Sequence, residues 1–402
     1  MSTGPCTNEM ILFGCWNQGV CDTKDINNGM SAVMKSLESE IPNFIIVLGD
    51  NYYPNKEEVD GKKTKIFKKD YLTSGFDCLK KLQATETPAI NLLMGNHDLQ
   101  AEIGMKTNDN IVDECIITQT EMDLAKYPKI DTKTYGRLLG NTTICLFICS
   151  TLYTEKADEI VKCMGIYRED HKDKSLAEII KDEHDILIET LETLLLTVGP
   201  NLKNLIICGH EPIVSRRYKP PKNVKTVLNE KGIELLNDLY SLAGDVNKYY
   251  ICADVHQYQE GIVTLSTNST HIINQYVVGV GGTKCDETCI SEQDFDPGIY
   301  SGIGTQEVIN EKIQYEMTVC KRDFGYLSCK ENNGDLTCNF VPVENCDKFE
   351  KKGGKTRRRR RKTKTKRRRK RKTKRRRKKT NTKYSNIRKY KSPKANLAIV
   401  RN

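Results

Sequence analysis

Seven short apolar runs constrain this chain more than any other feature: MILFGC, FIIVLGD, AINLLMGN, TICLFICS, NLIICGH, YYICAD and YVVGVGG. Each is rich in Ile, Val or Leu and ends at once on glycine or a polar residue. Runs this short predict strands buried on both faces of a layered α/β architecture. Between them, MSAVMKSLESEI and DILIETLETLLLTV repeat their apolar residues at three and four positions, which predicts helices. The expected class is α/β. In open α/β sheets the chemistry collects at the carboxyl ends of strands, and there the sequence places its Asp, Asn and His.

Composition matters where it breaks. All 53 acidic residues of the 402-residue chain precede position 351, while 29 of its 64 Lys and Arg follow. Residues 1–350 therefore carry 35 basic against 53 acidic residues, or −18, and residues 351–402 carry +29. The boundary predicts one domain over 1–350, long enough to bury a substantial core, and a disordered tail over 351–402. KKTKIFKKDYL and the stretch 156–181 are highly charged and read as excursions over the surface.

No basic segment followed by a long apolar one opens the sequence, and no run approaches about eighteen apolar residues. An intracellular chain without a membrane span is expected. Its 16 cysteines then read mostly as reduced, buried small hydrophobes, Cys145, Cys149, Cys208 and Cys252 among them. The wide gaps between Cys320, Cys329, Cys338 and Cys346 do not suit a compact zinc site. NTT at Asn141 and NST at Asn268 match the glycosylation pattern, which means little without secretion.

The strand ends carry the chemistry. GDNYYP follows FIIVL and brings Asp50, whose two oxygens suit bridging two cations, with Tyr53 three residues on. Alone, that stretch also reads as a capped turn. GNHD follows AINLLM and supplies Asn96, a neutral hard ligand, and His97, a proton donor. GHEPIVSRR follows NLIIC and turns at His210. Arg216 and Arg217 close this motif, as a solvated loop or as contacts to a substrate phosphate. Three of the six histidines (His97, His210, His256) occupy such positions; His171, His184 and His271 read as surface or packing residues.

FGCWNQG, GDNYY, GNHD, GHEP and ADVHQYQ, in this order and at strand ends, resemble the calcineurin-like metallophosphoesterase superfamily, and GDNYY its purple acid phosphatase branch. VVGVGG and FGYLSC are similar to the strands that follow in that family, so the likeness spans roughly residues 8 to 330. It implies a four-layer α/β/β/α sandwich around two metal ions (Fe, Zn or Mn) that hydrolyse a phosphate ester. Asp50 would bridge the cations. Tyr53 and His256 would hold the first, Asn96 and His210 the second, and His97 would protonate the leaving group. Trp16 matches the aromatic residue of the first motif. Two cations about 3.5–4 Å apart polarise a phosphoryl group and generate a hydroxide nucleophile at neutral pH.

Two positions depart from the family pattern. Cys15 stands where the first metal usually has an Asp, and Asp254 where the second usually has a His. Both replacements keep a coordinating atom on a short side chain, which favours a re-tuned site over an abandoned one. Cys15 beside Tyr53 would make the first position softer and more anionic, suited to Fe(III) or zinc. Slower turnover than in a conventional relative and an optimum nearer neutral pH are expected. Ser150, where the family often has Asp, reads as structural.

The tail carries Arg357, Arg358, Arg359, Arg360, Arg361, Arg367, Arg368, Arg369, Arg375, Arg376 and Arg377 among lysines and threonines, with no apolar residue in the run. Counterion release predicts nonspecific, salt-sensitive binding of nucleic acid; nuclear import and contact with the acidic body are open alternatives. Such tails resemble those on proteins of giant DNA viruses, which implies a viral protein and a virion location. Two functions stand at this level: a phosphoesterase tethered to nucleic acid, or an inactive phosphoesterase scaffold serving nucleic-acid binding or packaging.

Overall fold

The computed structural model describes residues 8–349 apart from 41, 60–61, 84–87, 103, 108–109, 127–129, 218–222, 268 and 287–305. The tail arginines and the NST asparagine therefore lie outside the described residues. The chain divides into two units, Met1–Cys346 and Asp347–Asn402.

All seven apolar runs are strands. Asn8–Phe13, Phe44–Leu48 and Ala89–Leu93 pair in parallel, extended antiparallel by Asp323–Asn332 and Asp335–Asn345 into a five-stranded sheet. Thr143–Phe147, Asn204–Cys208, Asn247–Cys252 and Thr270–Val278 form the parallel centre of an eight-stranded sheet. Antiparallel strands flank that centre: Gly136–Leu139 on one side, and Tyr258–Ser266, Ile313–Lys321 and Gln306–Asn310 on the other. Small sheets at Asn55–Val59 with Lys62–Ile66 and at Val214–Arg217 with Asn223–Thr226 lie apart from these.

One apolar cluster draws on both large sheets. Met10, Leu12, Ile46, Leu48, Leu93 and Leu327 come from the first, and Cys145, Phe147, Ile206, Cys208, Ile251 and Val278 from the second. Strands with no alternation are those that bury both faces, here against the other sheet and against helices. Helix Leu176–Val198 starts at a capping box between Ser175 and Glu178 and packs on Gly136–Leu139 and Thr143–Phe147. Helix Gly29–Leu37 is capped by Asn28, whose side chain accepts from the Ser31 N–H, and packs on the last two strands of the five-stranded sheet. No helix among the described residues is long and apolar enough to cross a membrane.

Three expectations need correction. The charged stretches are not loose surface excursions. KKTKIFKKDYL forms strand Lys62–Ile66 and the start of helix Lys69–Leu82. Residues 156–181 form helix Ala157–Tyr167 and the first turns of Leu176–Val198, with Ile160, Cys163, Met164 and His171 buried. The charges occupy the outer faces of amphipathic elements.

The cysteines are not mostly reduced. Disulfides join Cys21 to Cys78, Cys115 to Cys163, Cys285 to Cys346 and Cys329 to Cys338, and Cys320 is disulfide-bonded as well. The series from Cys320 to Cys346 is thus committed to disulfides, consistent with the absence of a zinc pattern. Cys145, Cys149, Cys208 and Cys252 are buried free thiols as expected, and so is Cys15. Arg216 is not in a solvated loop: it is 4% exposed, and its guanidinium lies 6.0 Å from the Tyr315 ring.

Candidate metal centre

Both sheets direct the carboxyl ends of their parallel strands to one place. Asn8–Phe13 leads to Cys15, Phe44–Leu48 to Asp50, Ala89–Leu93 to Asn96 and His97, Asn204–Cys208 to His210, and Asn247–Cys252 to Asp254 and His256. Cys15, Asp50 and Asp254 have φ of 52°, 53° and 50°, the left-handed region that costs a residue with a Cβ about 1–3 kcal/mol. The strain follows from function of position: each strand must turn sharply to point its next side chain across the gap between sheets. Hydrogen bonds hold the turns. Cys15 N–H donates to the Gly49 carbonyl at 3.0 Å, and the Thr283 N–H to the Cys15 carbonyl at 3.1 Å.

Asp50 is the hub. Tyr53 Oη donates to its Oδ2 at 2.6 Å, the His97 N–H donates to its Oδ1 at 3.0 Å, and Cys15 Sγ lies 3.9 Å from Oδ2. His210 Nε2 stands 3.2 Å from Oδ1, at ion-pair distance but without hydrogen-bond alignment. Ligand atoms of Cys15, Asp50 and His210 all lie within 4.8 Å of one another, and all three residues are buried. Asp254 and His256 lie outside that group. Asp254 is near enough to act electrostatically on His210 and Glu211.

The imidazole tautomers can be assigned from their partners. A carbonyl only accepts, so His210 Nδ1–H donates to Leu48 at 2.6 Å and leaves Nε2 facing Asp50. Likewise His256 Nδ1–H donates to the Lys284 carbonyl at 2.9 Å, and its Nε2 faces the Tyr53 hydroxyl at 3.0 Å. Both rings thus aim Nε2 inward with Nδ1 fixed by backbone, the orientation that metal-binding histidines use. Two further buried atoms, Asn96 Oδ1 and His97 Nδ1, have no hydrogen-bond partner. The buried cluster of Cys15, Asp50 and His210, with their ligand atoms within 4.8 Å of one another, fits a cation.

Proton positions in the metal-free protein follow. Burial alone would lower the His210 pKa, but the Asp50 carboxylate outweighs it and raises it to about 10. Burial would raise Asp50, yet His210 and His97 with the Tyr53 hydroxyl hold it well below the usual carboxylate range. Burial, then Asp50, pushes the Tyr53 phenol well above its usual value. The signs set a window for the ion pair. His210's contribution is complete below about pH 6.5 and is lost as pH rises through about 10, while Asp50's is present above about 3.8 and is lost on acidification. A cation must displace the His210 proton, so metal uptake is expected to release protons and to strengthen as pH rises. Calorimetry in buffers of different ionisation enthalpy checks this; proton-neutral uptake at pH 7 would contradict it.

Two glycines make room. Gly49 has φ +86°, and a Cβ there would sit 2.6 Å from the Gly95 nitrogen and 2.8 Å from His210 Nδ1. A Cβ on Gly95 would meet Asp50 N and Oδ1 at 2.5 Å. Gly95→Ala is therefore expected to displace Asp50, with loss of metal binding and about 1–3 kcal/mol of stability. Elemental analysis and an unfolding curve measure both, and a variant indistinguishable from wild type on the two would refute this packing argument.

Several residues that motif reasoning passed over support the centre. Ser150 Oγ accepts the N–H groups of His210 and Glu211 at 2.7 and 2.8 Å and donates to Glu211 Oε2 at 2.7 Å, so it fixes the His210 turn. Asn51 accepts from Trp16 Nε1 at 3.0 Å and donates to Asp98 Oδ2 at 3.0 Å, while Asp98 also accepts from the Asn51 and Gly95 N–H groups. Burial raises Asp98 to about 7, with the Asp50 charge adding to it. Asn51 and Asp98 sit inside GDN and GNHD, so the motifs held the signal; Glu211 gave none beyond adjacency to His210. The remaining histidines have local tasks: His171 contacts buried Glu183 at 2.7 Å, His271 contacts Ser269, and His184 lies by Asp238.

No family model matches the chain, and no curated protein matches it. Among solved structures, that of PhoD is similar at 12% identity with a TM-score of 0.43, covering 84% of this chain and 68% of that one. A likeness at that level settles neither fold family nor activity.

Proposed function

We propose that the chain is a metal-dependent phosphoesterase whose centre is built from Cys15, Asp50, Tyr53, Asn96, His210, Asp254 and His256. The observation that carries this reading is the buried cluster of Cys15, Asp50 and His210, whose ligand atoms all lie within 4.8 Å of one another. Bound cations would supply positive charge to phosphoryl oxygens and a nucleophile drawn from water. The protein's own part is positional. Asp50 spans the centre, the Leu48 and Lys284 carbonyls aim the two imidazoles, and His97, against the Tyr53 ring at 4.9 Å, is the proton donor to the leaving group. The fold of this reading is the α/β/β/α sandwich, with the two large sheets as its inner layers.

The tail, on this reading, binds nucleic acid nonspecifically through counterion release. Metal content and phosphatase assays across zinc, iron and manganese test the first half: metal uptake with turnover supports it. No uptake and no turnover with any metal leaves the scaffold reading. Removal of residues 351–402 is expected to abolish retention on DNA at low salt without changing turnover of a small phosphate ester. Unchanged DNA retention would remove the tail's role.

A further inference from the structure

The ligand atoms of the centre are not equally ready to receive a cation. Cys15 Sγ, Asp50 and His210 Nε2 are already clustered within 4.8 Å, with separations of 3.9 Å from sulfur to Oδ2 and 3.2 Å from Oδ1 to Nε2. A tetrahedral ion with bonds of about 2.0–2.3 Å sets neighbouring ligands roughly 3.3–3.8 Å apart. The two separations lie just outside that range on either side and run to the two carboxylate oxygens, so a single ion between the three residues needs only small side-chain adjustments. The other candidates are engaged with one another: Tyr53 Oη donates to Asp50 Oδ2 at 2.6 Å and lies 3.0 Å from His256 Nε2. Seating an ion there must first break those contacts. His210 Nε2 faces Asp50 Oδ1 at 3.2 Å, an ion pair that an incoming cation replaces.

We infer that the tightest cation of this protein sits between Cys15 Sγ, Asp50 and His210 Nε2, and that the thiolate makes this position select a thiophilic ion, zinc above all, over manganese or magnesium. The inference rests on the proposed metal-dependent reading and deepens it: the centre fills stepwise, a sulfur-containing position first and the Tyr53–His256 side second. Sulfur ligands favour zinc, whereas carboxylate and carbonyl sets favour magnesium and manganese, so Cys15 is the residue that sets the preference. Its geometry suits the task. The side chain is wholly buried, its backbone is pinned on both sides by Gly49 and Thr283, and it takes part in no disulfide.

The experiment uses the full chain, stripped of metal and titrated with cobalt(II) as a spectroscopic probe. The expected result is a sulfur-to-cobalt charge-transfer band that saturates at the first equivalent. In parallel, protein equilibrated with equal zinc, manganese and magnesium and then washed with chelator should retain one equivalent of zinc and neither other metal. Cys15→Ser should lose the band, and Cys15→Asp should lose it and retain manganese in place of zinc. A first equivalent bound without the band, a band that grows only with the second equivalent, or equal retention of zinc and manganese would each overturn the inference while leaving metal dependence standing. Failure to bind any of these metals would remove the metal-dependent reading itself. If the variants do not fold, the wild-type titration decides alone.

Discussion

Asp50→Asn is expected to lose tight metal binding and to lower kcat/KM for a phosphate ester by roughly 10³-fold or more, the scale of several kcal/mol of charge stabilisation. The amide has the shape of the carboxylate, so the defect would be electrostatic rather than steric. Asp50 meets Tyr53, His97, His210 and Cys15 at once. The metal-free variant should also lose the raised His210 pKa. Without the carboxylate, burial favours the neutral ring and is opposed only by the smaller effects of the Glu211 and Asp254 charges. Titration of the imidazole by NMR in wild type and variant reads this directly. An Asp50→Asn protein with wild-type metal content and turnover would end the case for this centre.

The second large effect concerns stability. Cys21–Cys78, Cys115–Cys163 and Cys285–Cys346 span 57, 48 and 61 residues, for which chain entropy gives about 4 kcal/mol apiece. Cys21→Ser with Cys78→Ser is expected to lower the unfolding free energy by about 2–4 kcal/mol. Reductant applied to the native protein should act on several bridges together and shift the denaturation midpoint further. Alkylation under denaturing conditions without reductant should label Cys15, Cys145, Cys149, Cys208 and Cys252 and spare the bridged residues. Uniform labelling of every cysteine, with no effect of reductant on the midpoint, is the contrary result.

Much of the fold was legible because burial on both faces leaves a local mark. FIIVL, TICLF and NLIIC could be recognised as strands from composition alone, and the residue following each run could be recognised as a strand end. That is enough to nominate Asp50, Asn96, His97, His210 and His256. The charged stretch from 156 to 181 misled because its apolar positions, Ile160, Cys163 and Met164, are sparse among charges, yet they fall on one helical face.

What the sequence determined by itself is the set of strand ends and the division between an acidic body and a basic tail, since both depend on residues adjacent in the chain. Pairing was beyond it. Which cysteine meets which, that Cys15 rather than Asp254 closes on Asp50 and His210, and that Ser150 props the His210 turn all depend on distances between segments tens to hundreds of residues apart. Such distances are set by how the two sheets face one another across their shared core, and no local pattern of side chains encodes that separation.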